Sequence, residues 1–228
     1  MTDRRLYVAE PGYDNGPDLP PLSLIGGPSM PGKYHLLALV ALGGGVTALG
    51  ATAAERMLDQ PGVPVGATIR NTAGRTVGSL RVEDQGRHKV KITVSAHGLP
   101  VGYHGFHIHK KGICDPKSTD PATGSPFFSA GPHFDLGAHS HPRHSGDLPP
   151  LLVAADGTGH TTIVTDRFRL RQLLDNDGSS IIIHALPDNQ ANIPKRYGEP
   201  GGKTGPDAES RKTGDSGARI ACGVISQR

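Results

Sequence analysis

Gly105-Phe106-His107-Ile108-His109 is the stretch on which the reading of this chain turns. Successive side chains of an extended strand point to opposite faces, so the two imidazoles share one face while Phe106 and Ile108 share the other. Such a strand packs its apolar face inward and offers two nitrogens to one metal ion on the outside. Alternation alone fits two solvent-facing histidines equally well, so the reading depends on what else the chain supplies. Downstream come His133, His139, His141, His144 and Asp147, and then Ile181-Ile182-Ile183-His184, where a buried-looking strand ends in histidine.

Outward from this stretch, short segments of strand character recur at residues 64–70, 76–82, 89–96, 105–109, 151–155, 160–165, 180–184 and 220–225. Val90-Lys91-Ile92-Thr93-Val94 alternates apolar and polar residues as a half-buried antiparallel strand requires. Eight such strands predict an all-β, eight-stranded antiparallel sandwich or flattened barrel. Residues 167–174 hint at a short helix, with Phe168, Leu170, Leu173 and Leu174 apolar. Residues 110–150 and 185–219 fit neither pattern, and loops this long in a compact domain are functional or disordered. The first holds the histidine cluster and the second begins just after His184.

Composition agrees with this organisation. The 228 residues include 32 Gly and 20 Pro, with aromatics at 4% and no Trp, which favours strands and turns over long helices. Net charge is +3 with histidine neutral, and the basic residues are scattered, so nothing resembles the clustered stripe of a nucleic-acid binder.

The N-terminal part reads as targeting. Leu36 to Leu49 is the only long apolar run, and Gly43-Gly44-Gly45 at its centre makes it too weak for a membrane span. Lys33 before it and Ala51-Thr52-Ala53 after it give the charged and small-residue flanks of a signal peptide. The division expected is a Pro- and Gly-rich tail or mis-assigned start over 1–29, a signal peptide or signal anchor over 30–53, and the functional domain over 54–228. That places the domain outside the cytoplasm, secreted or in the cell envelope, with an anchor through residues 36–53 as the tethered variant. Two cysteines, Cys114 and Cys222, fall in the domain, and an exported chain with an even count is expected to pair them. Two separate buried thiols are the alternative.

Four motifs in order, Gly105 to His109, Ala130-Gly131-Pro132-His133-Phe134, His144-Ser145-Gly146-Asp147-Leu148 and Gly217 to Ile225, make the region from His97 onward resemble the copper/zinc superoxide dismutase family. The resemblance implies a Greek-key barrel with two functional loops and the Cys114–Cys222 disulfide. It implies copper at His107, His109, His133 and His184, with His133 bridging to zinc, and imidazole suits copper in either oxidation state. As copper is reduced, the family's bridge to this histidine breaks and takes up a proton. Zinc would take His133, His141, His144 and Asp147, a three-imidazole, one-carboxylate tetrahedral set. His141 has the family's offset from His133, and His139 lies near enough to compete. Only Pro142 and Arg143 separate His141 from His144, where the family has a longer stretch, which leaves zinc the weaker of the two assignments. Asp188 matches the carboxylate joining a copper ligand to a zinc ligand and so fixing imidazole orientation. Arg219 matches the guanidinium that draws superoxide to the copper, and Thr213 a residue narrowing that approach.

The function implied is dismutation of superoxide to dioxygen and hydrogen peroxide, protecting the envelope, with Arg219 and His133 carrying the catalytic roles. A non-catalytic copper-binding or copper-delivery protein of the same fold is the alternative, and a zinc hydrolase ranks below it for want of a well-placed base. A homodimer is left open by the sequence. His88, His97, His104 and His160 read as surface or packing residues.

Overall fold

A computed structural model describes residues 64–198 and 201–228. The expected tail, the signal segment and the first residues of the 54–228 domain lie outside the described residues. Among the described residues nine strands form one antiparallel sheet: β1 (Val65–Asn71), β2 (Thr76–Asp84), β3 (Val90–Ala96), β4 (Gly102–His104), β5 (Phe106–His109), β6 (Leu151–Val153), β7 (Gly159–Thr165), β8 (Ser179–His184) and β9 (Arg219–Gln227). Their order is β4-β6-β7-β3-β2-β1-β9-β8-β5. The two edges, β4 and β5, are neighbours in sequence with only Gly105 between them, so the sheet curls into a nearly closed barrel. Connections β3 to β4 and β7 to β8 leap across neighbouring strands, which gives the Greek-key character.

The all-β expectation holds, with the strand count raised from eight to nine by β4. The sequence reading began this edge at Gly105 and missed the three residues before it, where Gly102 interrupts the pattern with φ of 126°. The expected helix over 167–174 is a single 3-10 turn, Leu170–Leu173. The second long loop carries a short helix the sequence reading did not anticipate, α1 (Ala208–Thr213), whose first turn is capped by Asp207 accepting from Ser210 N at 2.7 Å. Among the described residues no helix is long and apolar enough to cross a membrane.

Strand alternation builds the core. On β3, Val90, Ile92, Val94 and Ala96 are buried, joined by Ile69, Leu80, Phe106, Ile108, Ile181 and Ile183. Each fully buried aliphatic or aromatic side chain contributes roughly 1.5–3 kcal/mol. Strands β5 and β8 differ from the rest because every residue in them is buried. Their inner faces join the barrel core, while their outer faces are roofed by the two long loops. Ile182 on that outer side packs with Phe127, Ala130 and Cys222, and the Cys114–Cys222 disulfide (Cα–Cα 5.7 Å) fastens the first loop to β9. The histidine face of β5 is therefore internal, between barrel wall and loops.

Candidate metal centre

His107 and His109 stand on the roofed face of β5, opposite Phe106 and Ile108 in the core. His107 pairs with Ile182 across to β8, and His184 ends that strand where its register with β9 shifts. The shift sets His184 opposite Arg219 and leaves Ile220 unmatched, a bulge of the kind that re-aims side chains beside sites. His133 reaches the group from the first loop, bridged by backbone to His109. Gly105 lets the second loop approach, since a Cβ there would stand 2.5 Å from Ser216 Cβ.

Candidate ligand atoms of His107, His109, His133 and His184 lie within 4.8 Å of one another, all buried. One ring nitrogen of each is taken. His107 Nε2 is 2.7 Å from Asp188 Oδ2, and His133 Nδ1 is 2.7 Å from Asp147 Oδ1. His109 Nδ1 donates to Gly131 O at 2.9 Å, and His184 Nδ1 donates to Gly217 O at 3.1 Å. The other nitrogen of each, His107 Nδ1, His109 Nε2, His133 Nε2 and His184 Nε2, is buried without a hydrogen-bond partner. Four buried acceptors left bare in one place are costly unless something positive binds them. A metal ion fits that requirement, and the all-imidazole donor set suits copper.

A second group adjoins the first. His133, His141 and Asp147, with His107, again lie within 4.8 Å. Asp147 Oδ2 is 3.1 Å from His141 Nδ1, without hydrogen-bond geometry, and 3.0 Å from His144 Nδ1. His144 stands at the outer edge of this group, its ring 5.3 Å from that of His133. The donor set is three imidazoles and one carboxylate, all facing one another through Nδ1 or a carboxylate oxygen, and it suits zinc. His133 belongs to both groups, its Nε2 in one and its Nδ1 in the other. The two groups are tied a second time by Asp188, whose Oδ1 is 2.8 Å from His141 Nε2. His139 is exposed, with Nδ1 2.9 Å from Asp135 Oδ1, outside either group.

Protonation favours ligation in the first group. Burial, reinforced by neighbouring histidines and Arg219, holds His109 and His184 well below the ordinary imidazole value. Burial and the adjacent His107 bring His133 down to about 3. His107 is lowered as well, burial outweighing its bond to Asp188. These rings are neutral, as metal ligands must be. His141 goes the other way: burial opposes its charge, but the facing carboxylates of Asp147 and Asp188 outweigh it and raise the ring to about 9. Asp147 and Asp188 are held far below the usual carboxylate range by those same histidines despite burial.

A cavity of about 730 Å³ opens onto this centre, lined by His184, Arg219, Thr213 and Gly131 with Lys111 and Lys212 at its sides. Arg219 is pinned by Nη1 donating to Phe127 O (2.7 Å) and Nη2 donating to Gly131 O (2.8 Å). Glu209, Asp120 and Asp215 also line the cavity, so its charge is mixed and the cationic end is set by where Arg219 stands. Arg167 has no role in the sequence reading, and His104 appears there only as a surface or packing residue. His104 is buried with Nδ1 2.7 Å from His184 O and Nε2 2.8 Å from Pro100 O, tying the end of β8 to the turn before β4. Arg167 spans carbonyls of the His141–Asp147 loop. A lone histidine at a strand end and an arginine bound to backbone leave no signal in sequence.

Fold and site together define a class: a Greek-key barrel protein with two adjoining candidate metal groups that share one histidine on the barrel's outer wall. The chain belongs to the copper/zinc superoxide dismutase family, whose model matches residues 76–225. It is 45% identical over 157 residues to a Cu-Zn superoxide dismutase of Mycolicibacterium paratuberculosis, covering 67% of this chain and 69% of that one. It is 32% identical over 199 residues to the Escherichia coli protein of that name, covering 85% of this chain and 99% of the relative. Among solved structures, the Cu/Zn superoxide dismutase of Brucella abortus aligns with a TM-score of 0.54 at 28% identity, covering 71% of this chain and 98% of that one.

Proposed function

We propose that this chain dismutes superoxide outside the cytoplasm, 2 O2•− + 2 H+ → O2 + H2O2, with copper held by His107, His109, His133 and His184 and zinc by His133, His141, His144 and Asp147. The observation that carries this reading is the set of four unpartnered imidazole nitrogens, each with its opposite nitrogen fixed by a carboxylate or carbonyl. Export is supported by the Cys114–Cys222 disulfide, which persists in oxidising compartments, and by the apolar run at 36–49.

Copper, when bound, supplies the one-electron couple that takes an electron from one superoxide and returns it to the next. The rest is work for the chain's own groups. Arg219, always charged, faces the cavity beside His184 and draws the anion to that end. Thr213 and the α1 side chains bound the approach and limit what reaches it to small anions. His133 Nε2 is placed to hold a proton and pass it on, because Nδ1 on the other side of the ring is engaged by Asp147. Asp188 keeps the His107 and His141 rings in fixed orientation, so neither group can turn independently of the other. Metal analysis of the purified chain beside a superoxide assay, on wild type and His184→Ala, tests this reading: activity and copper should both fall in the variant, and full activity in it refutes the copper assignment.

A further inference from the structure

We infer that Arg167 is the positioning residue that closes the shortened zinc-ligand loop. Its guanidinium Nη1 donates to the carbonyl oxygens of Pro142 (3.2 Å), His144 (3.2 Å) and Asp147 (3.1 Å). These three lie in the His141–Asp147 loop, where only two residues separate His141 from His144. A connection this short turns three carbonyl dipoles toward one point, where they repel one another, and of the three only His144 O has a backbone partner, accepting from Asp147 N at 3.2 Å. A cation at the point of convergence reverses that: three oxygens become acceptors of charge-assisted bonds, and the loop is held in the shape that faces His141, His144 and Asp147 together.

The position of Arg167 is itself fixed. Its backbone N donates to Thr165 Oγ1 at the end of β7. The next residue, Phe168, is buried in the core, edge-on to Phe134 with ring centroids 5.9 Å apart. Phe134 directly follows His133, the imidazole shared by both groups. The arginine thus stands on a rigid link to one candidate zinc ligand while gripping the backbone of two others. It parallels Arg219, which grips Phe127 and Gly131 carbonyls on the copper side. Arg167 itself lies at the surface, so truncating it leaves the barrel core intact.

The inference rests on the reading that His133, His141, His144 and Asp147 hold zinc, and the test separates the two. Apoprotein is titrated with zinc(II) against a chromogenic chelator, with cobalt(II) as the visible reporter of the tetrahedral position, and with copper(II) in parallel. Arg167→Ala should weaken zinc at least about tenfold and alter the cobalt bands, while copper affinity and the melting of apoprotein stay near wild type. Arg167→Lys should recover much of the loss, because all three bonds go to one nitrogen, whose two N–H groups the carbonyls share, and an ammonium offers three donors from one nitrogen. Zinc affinity in Arg167→Ala within about twofold of wild type overturns the inference and leaves the zinc site standing. Equal losses of zinc, copper and apoprotein stability also overturn it, since they mark a residue of general structure. A wild-type chain that takes up no zinc or cobalt overturns the site reading and this inference together.

Discussion

Asp188→Asn is the perturbation whose size follows most directly from the geometry. The native carboxylate is almost wholly buried and accepts from His107 Nε2 at 2.7 Å and His141 Nε2 at 2.8 Å. Both nitrogens are donors when the opposite ring atoms face metal. An amide of the same shape has one acceptor oxygen and one NH2 group, so it can satisfy one histidine and must oppose the other. One buried N–H is then left unpaired, and a hydrogen bond to a charged group is lost. Such a loss is worth about 1.5–3 kcal/mol. At about 1.4 kcal/mol per factor of ten, metal affinity should fall roughly 10- to 100-fold at one of the two positions and less at the other. Gly214 closes off relaxation: its Cα stands so near that a Cβ would overlap Asp188 Oδ1, so the amide has no room to swing aside. The assay is competitive titration of apoprotein with copper(II) and zinc(II) separately. Affinities for both metals within twofold of wild type would show that the carboxylate bridge does not position these rings.

Arg219→Ala should lower the rate of superoxide consumption by about tenfold or more and flatten its dependence on ionic strength, with copper still bound; stopped-flow rates at two salt concentrations beside a copper assay check this. The metal-free protein should lose stability as pH falls below 6.5. His107, His109, His133 and His184 are neutral in the fold through depressed pKa values, so the unfolded chain binds more protons there and acid favours it. The raised His141 acts oppositely, its contribution present below 6.5 and lost as pH rises through about 9, but it is one group against four. A drop of at least about 1 kcal/mol between pH 6.5 and 5.5 is expected from denaturant melts of apoprotein, and stability that rises over that interval contradicts the assignment.

Much of this was legible because period two is a strong signal. Residues 90–94 alternate without error, and the His107, His109 pair announces its common face by the same rule. What sequence could not supply was the reason that face is dry. The inner face of β5 is buried by the barrel core, but burial of its histidine face comes from the 110–150 and 185–219 segments folding back over it, and those segments have no periodicity to read. The strand β4 is three residues long beside a glycine, too short for alternation to register, and α1 is six residues in a Gly-, Pro- and charge-rich stretch. The family's offset from His133 favours His141, but His139 lies near enough to compete. Geometry separates them, turning His139 out to Asp135 and His141 in toward Asp147 and Asp188. Asp188 itself was found through family resemblance, and its bond to both rings gives that assignment a physical cause. The short link from His141 to His144 counted against zinc in the sequence, and the convergence of its carbonyls on Arg167 is a compensation that backbone groups never write into sequence.

In the proposed function two adjoining groups of histidines hold two different metals, and one of those metals drives dismutation. Metal content of the purified chain, measured beside superoxide consumption for wild type and His184→Ala, tests it most directly. Expected are one copper and one zinc per active wild-type chain, and in His184→Ala zinc retained with copper and activity lost. A wild-type chain active without copper, or a His184→Ala chain that keeps both copper and full activity, would contradict it.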